Sequence, residues 1–134
     1  MAGYSARSLV DKLGIKPRTR IAIVNPPRGF RATLGKLPAG VTVAARVGGT
    51  YPLIHFFTRD RAELEKKFAS LKQALEPAGA LWVSWPKGSS GVATDLTENV
   101  VREVALAGGL VDVKVAAVDD VWSGLKLVRR LKDR

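Results

Sequence analysis

The 134-residue sequence contains no cysteine, one histidine and one methionine. Without cysteine there is no disulfide framework and no thiolate metal site, and a reducing compartment fits. With His55 as the only imidazole, no transition-metal site is expected. Long apolar runs are also missing. No segment approaches the ~20 residues needed to span a bilayer. The opening MAGYSARSLVDKL lacks the continuous apolar stretch of a secretory leader. These absences lead to the expectation of a cytoplasmic protein with no membrane partner. Acidic side chains are scarce, 12 against 22 Lys and Arg, which gives a formal charge of +10.

That charge is uneven. Residues 1–46 carry nine basic side chains and a single acid, Asp11, and residues 126–134 carry five bases against Asp133. The middle, 47–125, holds eight bases and ten acids. Basic ends of this kind are the footprint of a polyanion partner or a solvated surface that keeps a small protein soluble. Nucleic acid is therefore a partner class supported by charge alone. Apolar content of 46% is ordinary for a globular chain, and the length suits one domain spanning 1–134.

Proline and glycine punctuate the rest. Residues 5–13 have a short amphipathic pattern that closes at Gly14. Residues 21–24 form an apolar run closed by Asn25-Pro26-Pro27, which reads as a strand covered on both faces. One or two helical turns fit at 29–36, then strands at 41–45 and 52–57. Residues 60–76 give the clearest helix. Leu64, Phe68, Leu71 and Leu75 share one face, and Asp60 and Glu63 have capping-box spacing. Pro77 and Gly79 end it, and a strand follows at 80–85 with Trp82 and Trp85 on opposite faces. Asp95 and Glu98 repeat the capping-box spacing before a helix at 96–107. Strands at 110–118 and 122–129 are joined by a turn at Asp119-Asp120 too short for a crossover, so they pair antiparallel. Gly124 marks a bulge or a close backbone approach.

Alternating strands and helices ending in a tight strand pair imply a three-layer α/β, Rossmann-like sheet. It is mostly parallel, with about six strands and an antiparallel C-terminal pair. Residues 52–131, with LEPAGALWV at 75–83 between a helix and a second helix, resemble the C-terminal half of a class I methyltransferase fold. That resemblance implies a methyltransferase-like sheet. In the other half, Asn25-Pro26-Pro27-Arg28-Gly29-Phe30 stands where the family's glycine-rich turn is expected. No acid follows the second strand, where the family commonly holds the cofactor's ribose. The resemblance therefore implies the fold and does not extend to S-adenosylmethionine binding, and no cofactor is expected. The whole chain resembles a bacterial family classed as a domain of unknown function, through LGIKP at 13–17, WPK at 85–87, SGVATDLT at 90–97, GLVDVKVA at 109–116 and WSGL at 122–125.

Ligands of parallel α/β sheets sit beyond the C-terminal ends of the strands. The loops leaving the first, third and fourth strands should meet there, carrying Asn25, Arg28, Gly29, Arg59, Lys87, Ser89, Ser90, Thr94 and Asp95. Hydroxyls, glycine amides, cations and a helix start are the parts of an anion site. Lys-Gly-Ser-Ser-Gly at 87–91 lacks phosphate-loop spacing, and Asp95 opposes an anion if it caps the helix beside it. His55 reads as a core or edge residue. A Ser-His arrangement would need it near Ser84, Ser89 or Ser90, and there is no nucleophile elbow. Asp119 and Asp120 are either a carboxylate pair or plain turn residues. No catalytic residue is assigned. The expected function is a non-catalytic module that binds a small anion or nucleotide-like ligand, or a partner. Alternatives are a diverged methyltransferase-like enzyme and a basic nucleic-acid-binding accessory protein. A homodimer through an edge strand is also compatible.

Overall fold

The computed structural model describes residues 7–134. Six strands form one sheet in the order β2-β1-β3-β4-β6-β5. They are β1 (Arg20–Val24), β2 (Thr42–Ala44), β3 (Tyr51–Phe57), β4 (Leu75–Pro86), β5 (Val111–Ala117) and β6 (Trp122–Val128). The first four run parallel, and β6 lies antiparallel to both β4 and β5. This is the expected three-layer arrangement with its reversed C-terminal pair. Short helices α1 (Leu9–Leu13) and α2 (Phe30–Leu34) lie on one face, and α3 (Arg61–Gln73) and α4 (Glu98–Ala107) on the other. Residues 5 and 6 of the expected first helix lie outside the described residues. Among the described residues no helix is long and apolar enough to cross a membrane.

The apolar spacing explains both layers. Leu64, Phe68 and Leu71 of α3 and Val101, Val104 and Ala105 of α4 bury against Ile54, Phe56, Leu81, Val83, Leu125 and Leu127. Trp85 belongs to this layer. Trp82 faces the other way, where it packs with Leu13, Ile21, Ile23, Phe30 and Phe57. Its indole Nε1–H donates to the Leu13 carbonyl at 2.9 Å, so the largest buried side chain also anchors α1.

Three expectations need correction. The helix expected over 60–76 ends at Gln73, and Leu75 is the first residue of β4, where it pairs with Tyr51. Pro77 and Gly79 bulge within the strand, where the register shifts between Tyr51 and Leu53. A Cβ on Gly79 would sit 3.0 Å from the carbonyl oxygens of Tyr51 and Glu76, so the bulge needs glycine. Asp60 flanks α3, but its side chain makes no capping bond, and Glu63 accepts from the Thr58 hydroxyl instead. Asp95 does not cap the helix beside it. Thr97 does, accepting from the Val100 N–H at 3.2 Å, so α4 begins two residues later than expected. At Gly124 the structure has a close approach. A Cβ there would meet Ser84 Oγ at 3.0 Å and the Trp82 ring at 3.2 Å, and the irregularity of this strand pair falls between Asp112 and Lys114 on β5.

Candidate functional site

Because β1, β3 and β4 are parallel, Val24, Phe57 and Pro86 end on one edge, and the loops that follow share it. The loop after β1 starts with Asn25 in the left-handed region at φ 56°, and Gly29 enters α2 at φ 84°. Asparagine tolerates this region better than most residues, because its short polar side chain bonds locally. Asn25, Arg28 and Gly29 are all exposed.

The other two loops are tied to each other. Asp95 Oδ1 accepts the N–H of Arg61, the first residue of α3, at 2.8 Å, and the Thr94 hydroxyl donates to the Arg59 carbonyl at 2.6 Å. Thr94 also accepts the Leu96 N–H at 3.1 Å. Ser90 donates to the Lys87 carbonyl at 2.7 Å and accepts from Val92 N–H at 3.1 Å, which closes the short 3-10 turn Gly88–Ser90. The Lys87 N–H reaches Val121 O at 2.7 Å, joining this loop to the β5–β6 turn. There Asp119 accepts the N–H groups of Val121 and Trp122 at 2.8 Å each, a turn-forming role. No cluster of three or more metal-ligating side chains occurs among the described residues.

The nine residues picked from sequence therefore divide. Ser90, Thr94 and Asp95 spend their side chains holding loops in place. Arg28, Arg59 and Lys87 form no ion pair among the described residues. Asn25 and Ser89 make no side-chain hydrogen bond among the described residues, whereas the Gly29 carbonyl already accepts from the Thr33 N–H at 3.1 Å.

Beneath the edge lies a sealed layer. His55 Nε2 and Ser84 Oγ share a hydrogen bond of 2.7 Å, and both residues are buried. The imidazole stacks on Phe57 at 4.1 Å and meets Phe30 edge-on at 5.3 Å. Burial pushes the His55 pKa down to about 3, so the ring is neutral at physiological pH. Its Nδ1 has no hydrogen-bond partner among the described residues. The pairing is the one a Ser-His nucleophile would need, but substrate cannot reach Ser84, which is 0% exposed. Sequence reasoning named the pair without placing it. The deciding signal is strand register, which sets Phe57 beside Ser84 and His55 beside Trp82.

The fold family implies S-adenosylmethionine, and the residues here do not fit it. β2 ends at Ala44, level with Ala22, so it stops two residues short of the end of β1. The chain then turns back toward the start of β3, where Gly48 bonds the Tyr51 hydroxyl. Asn25-Pro26-Pro27 replaces the glycine turn, and the Phe30 ring fills the space against His55 and Phe57. Three hollows of about 540, 370 and 430 Å³ lie elsewhere, and none is lined by a residue of this loop.

No protein-family model matches the sequence. No curated protein matches it significantly. Solved structures do match in shape. A SAM dependent methyltransferase from Aquifex aeolicus is 14% identical with a TM-score of 0.65, over 89% of this chain and 86% of that one. A ribosomal protein L11 methylase from Lactobacillus delbrueckii subsp. bulgaricus is 14% identical with a TM-score of 0.63, over 91% and 75%. Magnesium protoporphyrin IX methyltransferase from Synechocystis PCC 6803, with bound SAM, is 12% identical with a TM-score of 0.59, over 91% and 74%. At these identities the likeness concerns architecture alone. The chain has a class I methyltransferase-like α/β fold, a six-stranded mixed sheet with an antiparallel C-terminal pair.

Proposed function

We propose that the protein is a non-catalytic binding module that takes a small anion or nucleotide-like ligand at the C-terminal edge of the sheet. The observation that carries this reading is the clamp of Thr94 on Arg59 and Asp95 on Arg61. It fixes two loops in advance while Arg28, Arg59 and Lys87 form no ion pair among the described residues. Prearranged donors bind at lower entropic cost than loops that must order on contact. Asp95 does not oppose the anion through the start of α4, because its carboxylate is committed to α3.

Titration calorimetry with inorganic phosphate, pyrophosphate and nucleoside mono-, di- and triphosphates tests the proposal. At least one ligand should bind, and Arg59→Ala with Lys87→Ala should weaken it by about tenfold or more. No heat from any of them at millimolar concentration overturns it. A second reading, a diverged methyltransferase, draws on the fold likeness, including the relative described with bound SAM. Heat on titration with S-adenosylmethionine would favour it. Silence with that ligand alongside a phosphate response would discard it.

A further inference from the structure

The basic beginning and the basic end of the sequence converge at the opposite edge of the sheet. A hollow of about 430 Å³ opens there on the α1 face, where β3 and β4 begin and β6 ends. Lys16, Lys126 and Arg134 line it together with Leu53, Val113 and Val128, and no acidic residue takes part. Lys114 adjoins it, because its Nζ donates to the Lys12 carbonyl at 3.1 Å and its strand neighbour is Lys126. Among the described residues Lys12, Lys16, Lys114, Lys126 and Arg134 form no ion pair. The Lys114 pKa is lowered, first by burial and then by repulsion from Arg7, Lys126 and Lys12. Like charges have thus been gathered with no ion pair among the described residues, which costs stability unless something negative is bound.

The floor is as telling as the rim. Val113 sits at the irregularity in β5 and is 57% exposed, an apolar side chain left at a basic mouth. Cations over a concave apolar floor differ from the cationic stripe or groove with which proteins follow a nucleic-acid backbone. The volume lies in the range of small-ligand sites.

We propose that this hollow binds an anionic amphiphile, a molecule with a phosphate or carboxylate head on an apolar body. The head lies among Lys16, Lys126 and Arg134, and the body lies against Leu53, Val113 and Val128. The site is independent of the one proposed at the C-terminal edge and shares no residue with it.

Octyl phosphate, kept below its micelle concentration, is the probe, with inorganic phosphate, octanol and a 20-nucleotide single strand as comparators. Calorimetry should show octyl phosphate binding at least about tenfold more tightly than inorganic phosphate or octanol, since each buried methylene contributes about fourfold. Backbone amide shifts should move at Leu53, Val113 and Val128. Lys126→Glu should weaken binding by about tenfold. Lys16→Glu, in an exposed loop where folding is not at stake, should do the same, while Lys66→Glu on α3 should leave it unchanged. Equal affinity for inorganic and octyl phosphate would remove the role of the floor and overturn the proposal. So would tight binding of the oligonucleotide with no response to octyl phosphate, which would make the basic surface a polyanion site. Undetectable binding of octyl phosphate at millimolar concentration also ends it.

Discussion

Asp95, in the loop after β4, caps α3 from outside its own chain segment by accepting the Arg61 N–H at 2.8 Å. Asp60, which immediately precedes that helix, makes no side-chain capping bond. Asp95 thus takes the role that local spacing assigns to Asp60, while α4 is capped by Thr97. Asp95→Ala should cost about 1 kcal/mol, and the melting temperature should fall by about 4 °C. Asp60→Ala should change stability by less than about 0.5 kcal/mol, since only its charge near the helix start is lost. Paired thermal melts of the two variants decide this, and the reverse order of effects would refute the assignment.

Arg129 gathers three carbonyls at the other end of α3. Its guanidinium donates to Lys72 O at 2.7 Å, Glu76 O at 3.0 Å and Leu75 O at 3.3 Å, where the helix gives way to the bulged start of β4. Truncation to alanine leaves those acceptors short of donors and should cost about 2 kcal/mol. Arg129→Lys should recover less than half of it, because one ammonium cannot serve the three positions that the planar fork reaches. Urea denaturation of both variants against the parent measures the difference.

Much of the sheet was legible because its strands are short apolar runs closed by proline, glycine or polar residues. Ile21 to Val24 and the run ending at Phe57 read correctly for that reason. Leu75 was misread because its four-residue spacing from Leu71 continues the helical pattern, while the competing signal, its pairing with Tyr51, is non-local. Asp95 failed for the same reason: capping-box spacing is a local rule, and the Arg61 N–H lies 34 residues away in sequence. The convergence of the loops bearing Arg59 and Lys87 followed from parallel order, and a glycine turn with Ser and Thr as local caps is what Ser90 and Thr94 form. The meeting of Lys16 with Lys126 and Arg134 needed the tertiary structure. It depends on β6 running antiparallel to β4, so that its end returns beside α1.

The buried histidine makes stability depend on pH in a definite direction. The folded His55 pKa is about 3, below the unfolded value of 6.5, so only the unfolded chain takes up its proton between those limits. Its contribution is complete above pH 6.5 and is lost as pH falls toward 3, at roughly 1 kcal/mol per pH unit. Denaturation curves at pH 7, 6 and 5 should show this decline, and His55→Phe should remove it. Imidazole NMR shifts that stay neutral at pH 5 in the folded protein would agree. A folded-state titration near 6.5 would contradict the sealed environment.

Asn25 allows the backbone and the side chain of the proposed anion edge to be tested separately. At φ 56° an alanine is strained by about 1 kcal/mol, whereas glycine adopts the conformation freely and retains the loop. Asn25→Gly should therefore melt close to the parent, and Asn25→Ala should melt roughly 4 °C lower. If the side chain contacts the ligand, Asn25→Gly loses affinity although its loop is retained, and Asn25→Ala loses at least as much. If asparagine is there only for its backbone geometry, Asn25→Gly binds like the parent and Asn25→Ala alone weakens. Calorimetry of the two variants, with whichever phosphate ligand binds the parent, separates the cases, and only the first keeps Asn25 among the binding residues.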